Sequence, residues 1–152
     1  MRVSLAALSC LLLVCQSYWS DAAEGAEPVE QAFERFIDAF NRLDWEAFRS
    51  SFADDASLFN PDIPEALSLH RLDGRANVDA TFRLVFDAIR RAGHGPNIVP
   101  RNLRVQQLAD TAIVTFEFER ASGSYGRRTI VFTRQPEAWK IVHVHASNIN
   151  PK

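Results

Sequence analysis

The spacing of apolar residues divides the chain into a helical first half and a stranded second half. From Pro28, the run PVEQAFERFIDAFNRLD places Val29, Ala32, Phe33, Phe36, Ile37, Phe40 and Leu43 three and four residues apart, which predicts an amphipathic helix. Pro28 suits its first turn. Asp44 is a cap residue for a short second helix, WEAFRSSF, with Glu46 and Phe48 in its first turns. In ADDASLFNP, Asp54 and Asp55 read as a turn, and Ala56 to Phe59 as a short strand ended by Pro61. PDIPEAL reads as a loop, and LHRLDG as a second short strand stopped by Gly74. A third helix, RANVDATFRLVFDAIRRAG, carries Val78, Phe82, Val85, Phe86 and Ile89 as its stripe, with Gly93 closing it. The remainder changes period. NLRVQQL, TAIVTFEFERA, GRRTIVFTR and AWKIVHVHAS are rich in Val, Ile, Phe and Thr and are separated by short turn signals, as in an antiparallel meander. Helices first and strands afterwards predict an α+β architecture with the helices on one face of the sheet.

The start of the chain is different in kind. Arg2, an apolar run from Leu5 to Cys15, and then small residues around Ser20-Asp21-Ala22 form the pattern of a signal peptide. The run is shorter than the about 20 residues of a spanning helix. Residues 1–23 are therefore read as a cleaved leader, residues 24–27 as an acidic spacer, and residues 28–150 as one domain. That predicts an exported protein, periplasmic or secreted, with no membrane attachment after cleavage. Cys10 and Cys15 both lie in the leader, so the mature domain has no thiol and no disulfide and rests on its core. A formal charge of -2 and a pI near 6.1 give no reason to expect nucleic acid or an anionic surface as partner.

Three stretches carry a resemblance: FADDASLF (Phe52 to Phe59), LDGRANV (Leu72 to Val78) and WKIVHVHAS (Trp139 to Ser147). In this order of elements, the chain resembles the nuclear transport factor 2-like fold, and more narrowly its SnoaL-like branch. The last stretch is also similar to the end of the association domain of calcium/calmodulin-dependent kinase. The resemblance implies a cone of three helices on a strongly bent, mixed or antiparallel sheet. It also implies a pocket inside the cone and a dimer interface on the sheet's outer face. Members range from isomerases, dehydratases and cyclases to domains with no catalysis, so the fold alone leaves function open.

Alternation and resemblance together select the walls of the pocket. From the helices come Phe36, Phe40, Phe82 and Phe86; from the first strand, Phe59 and Asn60. The meander adds Phe116, Phe118, Ile130 and Phe132, and the last strand Val142, Val144 and Ala146. A ketosteroid-isomerase-like reaction needs a carboxylate base and a phenol donor. By resemblance these roles fall on Asn60, which cannot accept a proton at neutral pH, and on Phe36, which has no hydroxyl. The kinase association domain has arginines where this chain has Ile130 and Ala146, so an anion pocket of that kind is not expected. His70, flanked by Arg71 and Asp73, is the one candidate acid/base group at the pocket mouth. Asp54 and Asp55 read as structural, His94 as an exposed loop residue, and no cofactor is expected.

On the last strand, Trp139, Ile141, His143, His145 and Ser147 share one parity and Val142, Val144 and Ala146 the other. The second set goes inward by resemblance, which sends the histidines outward, on the same side as Glu117 and Glu119. An H-x-H pair projects its side chains about 6.5–7 Å apart and can hold zinc, but no third ligand is placed by the sequence and no metal is expected. The expected dimer interface is Glu117, Glu119, Trp139, Ile141, His143 and His145. The expected function is an exported homodimeric domain with an apolar pocket for a small hydrophobic molecule. The alternatives are a lyase, isomerase or cyclase acting on a hydrophobic carbonyl compound, and a non-catalytic association module.

Overall fold

The computed structural model describes residues 27–61, 70–120 and 123–149. The expected leader, the spacer before Glu27 and most of PDIPEAL lie outside them. Helix α1 (Val29–Asn41) buries Val29, Ala32, Phe33, Phe36, Ile37 and Ala39, the stripe set by its apolar spacing. Leu43 turns back with φ 54°, and the Asp44 carboxylate then accepts the Ala47 N–H at 3.1 Å, capping α2 (Trp45–Ser50). Helix α3 (Arg75–Ala92) ends on Gly93 at φ 75°, a left-handed position that glycine takes without Cβ strain.

Six strands form one open mixed sheet in the order β2-β1-β6-β5-β4-β3. They are β1 (Phe52–Phe59), β2 (Leu72–Asp73), β3 (Arg101–Leu108), β4 (Thr111–Glu119), β5 (Tyr125–Arg134) and β6 (Trp139–Ile149). The last four are the expected meander. The β1–β6 pairing is parallel and the others are antiparallel. The helices cover one face, where Phe36, Phe48, Phe52, Phe82 and Phe86 meet Val114, Phe116, Ile130, Phe132 and Ile141 in a single core.

Two irregularities displace side chains from simple alternation. Phe52 pairs with Ile141 and Ser57 with His143, so β1 carries extra residues between Ala53 and Ala56. Asp54 and Asp55, expected at a turn, stand instead in this bulged part of the strand. On β6, Val131 pairs with His143 and Phe132 with Ile141, which leaves Val142 as an extra residue. A bulge of one residue inverts the parity of everything before it. Trp139 and Ile141 are therefore 3% and 0% exposed, inside the core rather than at an outer interface. The Trp139 indole N–H donates to Glu27 O at 2.9 Å. His143, His145 and Ser147, beyond the bulge, keep the outward side that the sequence implies.

Candidate functional site

Between the helices and the sheet lies a cavity of about 80 Å³. α1 supplies Phe36, Ile37 and Phe40, α2 supplies Phe48, and α3 supplies Phe82 and Val85. The sheet side is Leu58, Asn60, Phe116, Arg128, Ile130, Val144 and Ala146, and Ile98 closes it ahead of β3. By the measure that a single water needs roughly 10–15 Å³, this space holds a few waters or a very small ligand. It is well below the roughly 300–1,000 Å³ of drug-sized pockets.

Eight of the residues selected by alternation and resemblance meet here: Phe36, Phe40, Asn60, Phe82, Phe116, Ile130, Val144 and Ala146. The others do not line the cavity. Phe59 follows the β1 bulge outward and packs against His143 and His145, with ring centroids 5.9 and 5.6 Å away. Val142 is the extra residue of the β6 bulge. Phe86 is buried but turned toward Trp45 and Phe40, both 5.5 Å away. Phe132 is buried deeper in the core. Phe118 lies over Gly126, where an added Cβ would come within 2.5 Å of the Phe118 Cε1.

His70 is exposed and stands outside the cavity. An acid/base role on a cavity ligand requires it to face inward, so this position argues against that role. His94 is exposed as well. Asp54 meets Arg75 Nη1 at 3.3 Å with its side chain 97% exposed, far from catalytic burial.

Arg128 was missed although it shares the parity of Ile130 and Phe132. Its Nη1 donates to Ser147 O at 3.1 Å and to Arg127 O at 2.9 Å, and its guanidinium lies 4.8 Å from the Phe118 ring centre. Its length lets the stem follow the apolar wall while the head reaches these carbonyls. Arg128 and the buried Asn60 amide are the polar side chains of the described lining. Both can donate hydrogen bonds; neither accepts a proton at neutral pH. Among the described residues no group of three or more His, Cys, Asp or Glu gathers as a metal site, and no helix is long and apolar enough to cross a membrane.

The Asn41 side chain ties down the wall at Ile98. Asn41 Nδ2 donates to Ile98 O at 2.9 Å, and its Oδ1 accepts the Ile98 N–H at 2.7 Å. Asn41→Ala removes both bonds across the junction of α1 with the strand lead-in. The expected cost is about 1–3 kcal/mol, read from the urea midpoint, with faster amide exchange at Ile98. Unchanged exchange at that amide would show that the lead-in is held by other contacts.

The SnoaL-like domain family matches residues 29–151. No curated protein matches the chain. Among solved structures, the chain is similar to a candidate calcium/calmodulin-dependent protein kinase type II association domain from Thiobacillus denitrificans. The identity is 23% and the TM-score 0.68, covering 82% of this chain and 98% of that one. It is similar as well to a dehydratase candidate of the nuclear transport factor 2-like family from Streptomyces avermitilis. There the identity is 23% and the TM-score 0.67, with 81% and 95% covered. A calcium/calmodulin-dependent kinase II hub from S. rosetta matches at 24% identity and TM-score 0.61, with 84% and 98% covered. At these identities the structures speak for the fold. With the family match spanning most of the chain and the helices and mixed sheet in agreement, this protein belongs to the SnoaL-like domain family.

Proposed function

We propose that this is an exported, self-associating domain that binds a small, mainly apolar molecule in the cavity, with any polar atom of the ligand set toward Asn60 and Arg128. The observation that carries the reading is the chemistry of the lining: aromatic and aliphatic walls with two hydrogen-bond donors and no proton acceptor among the described residues. Such a site can hold a carbonyl compound but has no described group to take a proton from it, which favours binding over lyase or isomerase chemistry. Export rests on the leader pattern of residues 1–23.

Self-association rests on the sheet face away from the helices. Cross-strand partners share a face, so the register sets out its rows. One row runs Ser57–His143–Val131–Ile113–Gln106, the next Phe59–His145–Thr129–Thr115–Arg104, and the next Ser147–Arg127–Glu117–Arg101. The middle is Val, Ile, Thr, Phe and imidazole, while Glu117 and Arg127 supply both signs of charge at one side. A second copy related by a two-fold axis would meet that pattern with its own complement. Association domains among the similar structures are consistent with self-association.

The binding reading is tested with benzene and cyclohexanone as probes, following the methyl NMR signals of Leu58, Val85, Ile130 and Val144. Cyclohexanone is expected to shift those methyls with a Kd of about 1 mM or tighter, equal to about 4 kcal/mol. Ala146→Leu, which extends a side chain into the cavity, should abolish the shifts while the domain remains folded. If neither probe moves these methyls, and native mass spectrometry of protein from its host shows no bound molecule, the cavity is core space and the association-module reading replaces this one.

A further inference from the structure

Building on the proposed association through the outer sheet face, we propose that His143, with His145 beside it, makes the association acid-sensitive, so that the dimer separates as His143 takes up a proton. The two imidazoles stand on the same side of β6 beyond its bulge, one residue apart, near the middle of the face. His143 Nδ1 is 2.8 Å from Ser57 Oγ, and the Phe59 ring stands against both imidazoles. A second copy placed on this face would cover the pair and bring its own two histidines to the same region.

The surroundings offer little to stabilise imidazolium. From β1 the facing side chains are Ser57 and Phe59, and from β5 Val131 and Thr129, none of them charged. From the β2 edge come Asp73 and Arg71, whose Nε and Nη2 donate to the Asp73 carboxylate at 2.7 and 3.1 Å, so that this carboxylate is already committed. Arg127 lies one row away beside Ser147, with Glu117 across from it. Arg104 ends the row of His145. Burial holds the His143 pKa below its ordinary value, His145 and Arg71 lower it further by repulsion, and only Asp73 opposes them.

The sign follows from linkage. A partner that covers His143 removes more water from it and lowers its proton affinity further, so the separated protomer binds more protons than the dimer. Acid therefore favours the separated form. Association is strongest above the ordinary histidine pKa of about 6.5 and weakens as pH falls through the lowered His143 value.

Sedimentation velocity at pH 7.5 and pH 5.5 on the mature full chain tests this, with near-UV circular dichroism on the same samples. The expected result is a dimer dissociation constant at least about tenfold larger at pH 5.5, with native near-UV signals retained. His143→Gln with His145→Gln should leave a dimer whose constant is the same at both pH values. Val131→Glu, which places a charge at the centre of the face, should be monomeric throughout. A wild-type dimer with one constant at both pH values overturns the acid sensitivity alone. A wild-type monomer at both values overturns the dimer reading beneath it. Loss of the near-UV signal at pH 5.5 assigns the change to unfolding and also overturns the proposal.

Discussion

Replacing Phe48 with alanine is expected to remove about 3–5 kcal/mol of stability, the largest loss we anticipate from any single truncation in the described domain. The ring is 1% exposed. It packs 4.8 Å from Phe82, 5.0 Å from Phe86, 5.1 Å from Phe36, 5.3 Å from Phe52 and 5.5 Å from Phe40, measured between ring centroids. It thus joins the three described helices to the first strand. A six-residue helix such as α2 does not persist alone in water, so this buried ring is what docks it. Phe48 also forms one wall of the cavity, and alanine would enlarge that space instead of letting it close. With total stabilities of such domains near 5–15 kcal/mol, the variant should unfold at a much lower urea midpoint with an unchanged slope. Added benzene should restore part of the loss by occupying the enlarged cavity. A loss under about 1.5 kcal/mol would mean that the neighbouring rings close over the gap.

The second large effect is expected at Arg75, the first residue of α3. A cation there opposes the helix dipole by roughly 0.3–1 kcal/mol, so something must outweigh that cost. Its Nη2 donates to Arg49 O at 2.8 Å and its Nη1 to Phe52 O at 3.1 Å. These carbonyls belong to the last turn of α2 and the first residue of β1, where the helix leaves acceptors without intrahelical donors. Arg75→Met keeps much of the stem's packing and deletes the bonds, for an expected loss of about 2–4 kcal/mol. Asp54→Asn, which alters only the exposed ion-pair partner, should stay within about 0.5 kcal/mol. Thermal melts of the two variants separate a carbonyl tie from a salt bridge. Equal losses would assign the effect to charge.

The helices were legible because burial and period coincide. The stripe from Val29 to Ile37 is the buried face of α1, and Gly93 ends α3 as a left-handed cap. Parity also assigns β4 correctly, where Val114, Phe116 and Phe118 go inward. It fails on either side of the β1–β6 ladder. An extra residue leaves no mark in hydrophobic spacing when both faces nearby carry apolar side chains, as WKIVHV does. The result is that Trp139 and Ile141 change sides and Phe59 is lost from the cavity. Phe48, Leu58 and Ile98 were missed for a different reason. They enter the cavity from a short helix, a bulged strand and a connecting segment, whose directions only tertiary packing decides. Arg128 could have been found, since it stands two residues before Ile130 on the same side. A charged residue in an inward position is the signal that binary patterning discards.

The parallel ladder between β1 and β6 sets the order in which this chain can become a domain. It pairs Ser57 with His143 and Phe59 with His145, so the first strand's partner is the last of the described strands to be made. Until then Phe52 has no Ile141 beside it, and the Trp139 indole has not reached Glu27 O. Such closure spans β2, α3 and the strands β3 to β5, and it comes late. The helices and β1 would thus lack their central sheet partner until β6 has been made.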